Sequence, residues 1–280
     1  MSSRHLKKNV HVLFLTWNTC EPRFVDQTLE LQEELNNTFK ISTSEHWRIP
    51  YRKTCTELLT GRLEYWRESY DNEDSLFILY YSGHGFHDED GNLGWGAHRE
   101  EYEDFCLSWK TVPPIFTRTS ADILYILDTC FATASIHSFS TPQPLLTPPS
   151  LDNTKTGSTT ELLASAGFAD LTYVPGPYSF TDALIQVLRC VSLEASSYDH
   201  ATIIPPISIL NLHQRVMSLR YRRLREYEEG QELKNTPIFV RLVGDGERPC
   251  ILLQPRAMVY PPVEFYEELS RPPKPIRAKL

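Results

Sequence analysis

Two side chains that can do chemistry follow buried-looking runs of the sequence. His84 stands between two glycines, directly after the apolar run 76–81, and Cys130 follows the apolar run 122–128 by two residues. A thiol is a nucleophile in its ionised form, and a nearby imidazole or a helix N-terminus favours that form. Either residue alone is more often structural than catalytic. Together, 46 residues apart and at equivalent strand ends, they predict a thiol–imidazole dyad.

The elements that must position these residues alternate between strands and helices. Three runs are apolar at nearly every position, as expected for strands covered on both faces: 10–16, 75–81 and 122–128. Helices are predicted between and beside them, at 24–38, 52–69 and 106–118. This order indicates right-handed crossovers and an α/β domain with a parallel sheet. Ligands and chemistry collect at the carboxyl ends of such strands, where His84 and Cys130 lie.

The second half of the chain is less regular. The segment 137–160 is rich in Ser, Thr and Pro and is predicted to be a long exposed loop. A strand at 161–167, a Ser- or Thr-capped helix at 179–191 and a strand–turn–strand pattern at 237–255 follow. The arginine-rich segment 215–230 predicts an amphipathic helix whose apolar stripe is Val216, Leu219, Leu224 and Tyr227, with its charges on a solvated outer face.

Composition narrows the functional class. A chain of 280 residues with 41% hydrophobic content can form one full core, and its net charge of −8 argues against nucleic acid or anionic membrane as partners. No secretory signal and no run of about 18 apolar residues is present. The six scattered cysteines contain no CxxC pair and are expected to be reduced. We therefore expect a protein of the cytoplasm or the nucleus.

The segments "YYSGHG" and "YILDTCFA" resemble the His and Cys motifs of the caspase, metacaspase and paracaspase superfamily of cysteine peptidases. The layout is similar over most of residues 8–195, and the length resembles the compact caspase-like domains of some fungal proteins. The resemblance implies a caspase-like three-layer α/β/α sandwich with a mostly parallel sheet of about six strands. It implies a single domain, 1–280. The domain consists of a large-subunit-like part (8–136), a flexible intersubunit-like loop (137–160), a small-subunit-like part (161–255) and a Pro-rich tail (256–280).

The resemblance also implies roles for individual residues. Cys130 would attack a peptide carbonyl, and His84 would protonate the leaving amine and later activate water. Backbone N–H groups of Gly85 and Cys130 would form the oxyanion hole. Asp128, two positions before the nucleophile, matches metacaspases and paracaspases, which accept Arg or Lys before the cut (P1), whereas caspases have Gln there and bind an acidic P1. The resemblance thus predicts a peptide or protein substrate with a basic P1.

Several points stay open at this stage. Asp128 could instead cap the helix carrying Cys130 or bond loop amides. Glu21, Asp26 or Ser165 could complete the P1 pocket. The loop holds one basic and one acidic candidate for self-processing, Lys155 and Asp152, of which a basic P1 preference selects Lys155.

Three further alternatives concern cofactors and function. No cofactor is expected, although the acidic segment 87–91 leaves calcium open, because metacaspases often need it; three adjacent acids are also common in solvated turns. The family more often has a polar or Gly-rich turn where this chain has "CFATAS". The alternative is therefore a catalytically weak pseudo-peptidase that acts as an interaction or regulatory module in a cell-death or immunity pathway. A thiol hydrolase of non-peptide esters ranks below both. The oligomeric state is not predicted.

Overall fold

The computed structural model describes residues 6–98, 106–140, 158–198, 203–227, 235–244 and 249–256. The strands are β1 (Asn9–Trp17), β2 (Thr43–Ile49), β3 (Ser75–Ser82), β4 (His84–His87), β5 (Leu93–Gly96), β6 (Leu107–Ser108), β7 (Asp122–Asp128), β8 (Thr160–Ala164), β9 (Ile207–Ser208), β10 (Ile238–Val243) and β11 (Leu252–Leu253). The helices are α1 (Pro22–Thr38), α2 (Cys55–Tyr70), α3 (Pro113–Phe116), α4 (His137–Ser140), α5 (Phe180–Ser196) and α6 (Ile209–Tyr227), with 3₁₀ turns at Trp109–Thr111 and Ala132–Ile136.

A six-stranded sheet forms the centre of the molecule, in the order β10-β8-β7-β3-β1-β2. All neighbouring pairs are parallel except β10, which runs antiparallel to β8. Every residue of β3 and of β7 is buried, because helices cover both faces of these central strands. The register pairs Ser82 with Asp128, so the two strands end side by side. Consequently, the segments carrying His84 and Cys130 leave the sheet at the same edge.

Two separate apolar clusters, one on each face of the sheet, hold the helical layers. One cluster contains side chains of α5 and α6 together with Leu31 and Leu35 of α1. The other contains Leu59, Leu63 and Trp66 of α2, with the side chains of α3 and of the small strands β5 and β6. The predicted three-layer α/β/α sandwich, with a mostly parallel sheet of about six strands, is therefore confirmed.

A small antiparallel sheet of β4, β5 and β6 follows the central strand β3. Its first residue is His84, which pairs with Gly96 of β5. Tyr81 stacks on Trp95 of β5 with ring centroids 3.9 Å apart, and its hydroxyl donates to the carbonyl of His84 at 3.0 Å. The small sheet therefore fixes the backbone of His84 directly beyond the end of β3.

Two sequence expectations about the secondary structure are wrong, and one strand was not predicted. The helix expected over 106–118 is instead β6, a 3₁₀ turn and the four-residue α3, because two adjacent prolines remove amide donors from its middle. The pattern at 237–255 is not a hairpin, since β10 pairs with β8 and β11 pairs with β9. The strand β2 was not predicted, because only the last of its seven residues is buried at the sheet edge.

Candidate active site

His84 reaches the site because the chain turns sharply at Gly83. The amide of Gly83 still donates to the carbonyl of Asp128 at 3.4 Å, which extends the β3–β7 pairing by one residue. A Cβ added to Gly83 would lie 2.4 Å from the Tyr81 hydroxyl, so only glycine fits. The side chain of His84 is 18% exposed, its ring meets the edge of Phe24 at 5.3 Å, and its Nε2 lies 3.9 Å from Oε1 of Glu21.

Cys130 lies in a tight turn directly after β7. The next residue, Phe131, has φ of 57°, the left-handed conformation that non-glycine residues rarely adopt. Its amide donates to the carbonyl of Asp170 at 2.9 Å, and the amide of Thr172 approaches Sγ of Cys130 at 3.4 Å. The turn leads into a 3₁₀ segment, Ala132–Ile136, rather than into an α-helix that carries Cys130. The stabilisation of a Cys130 thiolate by a helix macrodipole is therefore small.

Gly85 brings the two segments into contact. A Cβ built on Gly85 would lie 2.3 Å from the carbonyl oxygen of Cys130 and 2.3 Å from Oγ1 of Thr129. Real Cβ atoms essentially never come within 3.0 Å of a neighbour, so the backbone of β4 packs directly on the turn that carries Cys130. Glycine is required here because two backbones approach closely. That approach brings His84 and Cys130 into the lining of one pocket.

The pocket at this edge of the sheet has an empty volume of about 280 Å³, including its open mouth. It is lined by both members of the predicted dyad, by the carboxylate predicted for the P1 pocket, and by part of the loop before α5: Phe24, Gly83, His84, Asp128, Cys130, Thr172, Tyr173, Val174 and Pro175. A thiol, an imidazole and a buried carboxylate thus share one cavity. This set can support nucleophilic attack with proton transfer.

Asp128 is almost fully buried at the end of β7, with 3% of its surface exposed. Its carboxylate accepts from the hydroxyl of Thr181 at 2.6 Å and from the hydroxyl of Thr172 at 3.4 Å. Burial raises the pKa of Asp128, and hydrogen bonds from Thr181 and Ser165, together with the charge of Arg220, offset part of that rise. These partners are side chains, whereas the helix-cap alternative requires backbone amides.

The three residues considered as further pocket members have different surroundings. Ser165 is buried, exchanges hydrogen bonds with the backbone of Thr129 at 3.1 and 3.2 Å, and is also a hydrogen-bonding neighbour of Asp128. Glu21 lies beside His84, and Asp26 is exposed on α1. Of the three, Ser165 is therefore the one that contacts Asp128.

Arg220 is a buried residue of this region that the sequence analysis did not predict. Its charge was expected on a solvated face of α6, but only 5% of its surface is exposed. The expectation is wrong at this position because Arg220 continues the buried stripe of Leu212 and Val216, four residues beyond the latter. The spacing itself was the available signal: positions 212, 216 and 220 share one face of a helix.

The acidic segment 87–91 is a closed turn whose carboxylates contact donors of the chain itself. Oδ1 of Asp88 accepts from the amides of Asp90 and Asn92, and both oxygens of Asp88 accept from the Asn92 side chain. Lys110 then contacts the carboxylate of Asp90 at 3.0 Å. These oxygens are already used by donors of the chain. Among the residues that the structure describes, no group of three or more His, Cys, Asp or Glu side chains could hold a metal ion.

The processing candidates Lys155 and Asp152 lie outside the described residues, as does most of the loop predicted over 137–160. At its described ends the loop prediction is wrong, because residues 137–140 form α4 and the buried Thr160 begins β8. Across the described helices, none combines the length and the apolar character needed to cross a membrane.

No protein-family model and no curated protein matches the sequence. Among solved structures, the chain is similar to caspase-1 from Spodoptera frugiperda, with a TM-score of 0.48, 14% identity, and 85% of this chain and 90% of that chain covered. A structure of pro-sf-caspase-1 gives a TM-score of 0.47 and 13% identity, covering 85% and 92%. Raptor from Chaetomium thermophilum gives 0.40 and 14%, covering 68% of this chain and 18% of that one. At these identities the likeness concerns the fold alone.

Proposed function

We propose that this protein is a cysteine endopeptidase of the caspase and metacaspase type, with Cys130 and His84 as its dyad and a preference for Arg or Lys at P1. The observation that carries the proposal is the single pocket lined by Cys130, His84 and Asp128. The close contact of Gly85 with the Cys130 turn supports it, because that contact holds the two segments together.

The proposed reaction proceeds in two stages. Sγ of Cys130 attacks the peptide carbonyl carbon, and the resulting oxyanion accepts hydrogen bonds from the N–H groups of Gly85 and Cys130. The C–N bond then breaks, and His84 gives the proton taken from the thiol to the leaving amine. A water molecule next attacks the thioester, while His84 accepts its proton. The C–S bond breaks, which releases a carboxylic acid and returns the thiol.

Asp128 would select the P1 residue. Its carboxylate is buried, so a guanidinium or ammonium group entering the pocket gains a charge-assisted hydrogen bond worth about 1.5–3 kcal/mol. An acidic P1 side chain would instead bring a second negative charge into a desolvated site. The raised pKa of Asp128 is consistent with a carboxylate that lacks full compensation before substrate binds.

Active protein is expected to cut its own loop after Lys155, and Lys155→Ala is expected to abolish that cut. Intact mass measured during incubation gives the site directly. Cleavage after Asp152 in place of Lys155 would contradict the basic P1 preference.

The test of the whole proposal is covalent labelling by a pair of irreversible peptidyl ketones that differ only in Arg or Asp at P1. We expect the Arg ketone to add once, at Cys130, and Cys130→Ala and His84→Ala to abolish the addition without loss of fold. Faster labelling by the Asp ketone would refute the P1 assignment. Labelling that survives in Cys130→Ala would refute the dyad.

One observation favours a second function, an interaction module with weak or no catalysis. The loop before α5 packs onto the nucleophile, with the Thr172 amide 3.4 Å from Sγ of Cys130. The same loop exposes large apolar side chains: Phe168, Leu171 and Val174 are 45%, 53% and 48% exposed. Such a surface suits a protein partner. Failure of both ketones to label folded wild-type protein would favour this alternative over the peptidase.

A further inference from the structure

A buried cation lies behind the candidate P1 pocket. Arg220 of α6 donates from Nη2 to Oδ1 of Asn235 at 2.6 Å, and its guanidinium carbon lies 5.9 Å from the ring centroid of Tyr173. Within the described residues, its Nη1 is buried and makes no hydrogen bond. A guanidinium keeps its proton in proteins, so Arg220 is a buried charge with an unused donor.

The loop before α5 connects this cation to Asp128. Tyr173, over which Arg220 lies, lines the same pocket as Asp128. The preceding residue, Thr172, bonds to the Asp128 carboxylate at 3.4 Å. Burial raises the pKa of Asp128 and lowers the pKa of Arg220, and the attraction between the two charges offsets part of each shift. The buried charge of Arg220 therefore acts on Asp128 before any substrate arrives.

We propose that Arg220 sets the charge selectivity of the pocket, because a basic P1 side chain has to share Asp128 with it. This inference rests on the proposed function and deepens it. In a site with little water, two cations beside one carboxylate repel each other, so Arg220 weakens the preference for Arg or Lys over a neutral side chain of the same shape. Arg220 is thus a specificity determinant that makes no contact with the reacting atoms.

Arginine and citrulline at P1 are the matched probes, because they have nearly the same shape and differ in charge. The measured quantity is the ratio of kcat/KM for two fluorogenic peptides that differ only in this residue. We expect the Arg-to-citrulline ratio to rise about tenfold in Arg220→Gln, because a buried positive charge behind the pocket is removed. Arg220→Lys keeps the charge and should leave the ratio near that of wild type.

The ratio has to be compared on the alkaline plateau of the pH profile. Without Arg220, the pKa of Asp128 rises further, since burial then acts with less compensation. The Arg-to-citrulline ratio of Arg220→Gln should therefore fall at a higher pH than that of wild type as the solution is acidified. The other titratable side chains described at this site are Tyr80, which shares Thr181 with Asp128, and Tyr173, His84 and Cys130 of the pocket lining.

Arg215→Gln is the control for net charge. It removes one cation from the same helix, but Arg215 pairs with Glu194 at 2.8 Å, away from the pocket, so the ratio should not change. Asn235→Asp is the second test if Arg220→Gln does not fold. It gives Arg220 a carboxylate partner of its own, although it gives up the 3.1 Å bond from Asn235 to the Leu171 carbonyl, and should raise the ratio in the same direction.

The outcomes separate the two proposals. An Arg-to-citrulline ratio that is unchanged in both Arg220→Gln and Asn235→Asp, with both peptides cleaved, overturns the role of Arg220 and leaves the peptidase intact. A ratio that rises equally in Arg215→Gln overturns it as well, because net charge alone would explain the effect. If wild type cleaves neither peptide and no ketone labels Cys130, the proposed function fails, and the role of Arg220 fails with it.

Discussion

Gly85→Ala is the sharpest perturbation that the structure offers, because it adds one methyl group where two backbones meet. The new Cβ would lie 2.3 Å from the carbonyl oxygen of Cys130 and 3.3 Å from its carbonyl carbon. The contact with the oxygen has to lengthen to at least 3.0 Å, and both partners are held, β4 by its pairing with β5 and the Cys130 turn by the Asp170 carbonyl. The imidazole and the thiol must therefore move apart.

Two magnitudes follow from this clash. Overpacking a rigid site costs about 1–3 kcal/mol of unfolding free energy. A displacement approaching 1 Å between reacting groups lowers the rate by about 100-fold. We therefore expect Gly85→Ala to lower the second-order rate constant of ketone labelling at Cys130 by about two orders of magnitude. The free energy of unfolding should fall by about 1–3 kcal/mol.

The assay combines labelling kinetics by intact mass with urea unfolding, and Gly61→Ala is its control. Gly61 lies inside α2 with nothing within 4 Å of an added Cβ, so alanine should stabilise the protein by about 1 kcal/mol and leave labelling unchanged. Wild-type labelling and wild-type stability in Gly85→Ala would refute the contact between β4 and the Cys130 turn.

Three other predictions concern reactivity, capping and acid stability. A limiting thiol reagent should modify Cys130 before the exposed Cys190, since only Cys130 shares a pocket with an imidazole; peptide mapping that finds Cys190 first would contradict this. Ser179→Ala should lower the unfolding free energy by about 1 kcal/mol in urea, because Ser179 caps α5, and an equal loss in Ser179→Asp would exclude capping as the cause. Burial lowers the pKa values of His11 and His46, so the unfolded chain binds protons at a higher pH than the folded chain does. The free energy of unfolding should therefore fall as the pH drops below about 6.5. Urea titrations at several pH values should show a weaker pH dependence of this free energy in a His11→Asn/His46→Gln variant.

The central layout of this protein could be predicted from local pattern alone. The runs 75–81 and 122–128 are apolar throughout, and such runs are stable only as strands covered on both faces, which agrees with β3 and β7. The cap of α5 followed from one Ser in front of a helical pattern. The placement of His84 and Cys130 beyond strand ends followed from the same runs, because parallel strands end at a common edge.

Tertiary structure decided the features that depend on partners distant in sequence. β2 carries few buried side chains, so its strand conformation comes from backbone pairing with β1 rather than from its own pattern. The segment 237–255 has the pattern of a hairpin, yet its two strands bond to β8 and β9, which offer free edges. Local sequence specifies conformation but not the identity of a hydrogen-bonding partner.

The candidate site divides in the same way. The sequence supplied the thiol, the imidazole, the glycines and Asp128, because these lie in short motifs at strand ends. It did not supply Arg220, which lies 92 residues after Asp128 on a helix whose charges suggested a solvated face. The cost of burying a guanidinium is offset only by partners that folding brings together, here Asn235, Tyr173 and Asp128. The spacing of positions 212, 216 and 220 marks a buried face of α6, but the partners that compensate the buried charge are set by three-dimensional proximity, which no local pattern encodes.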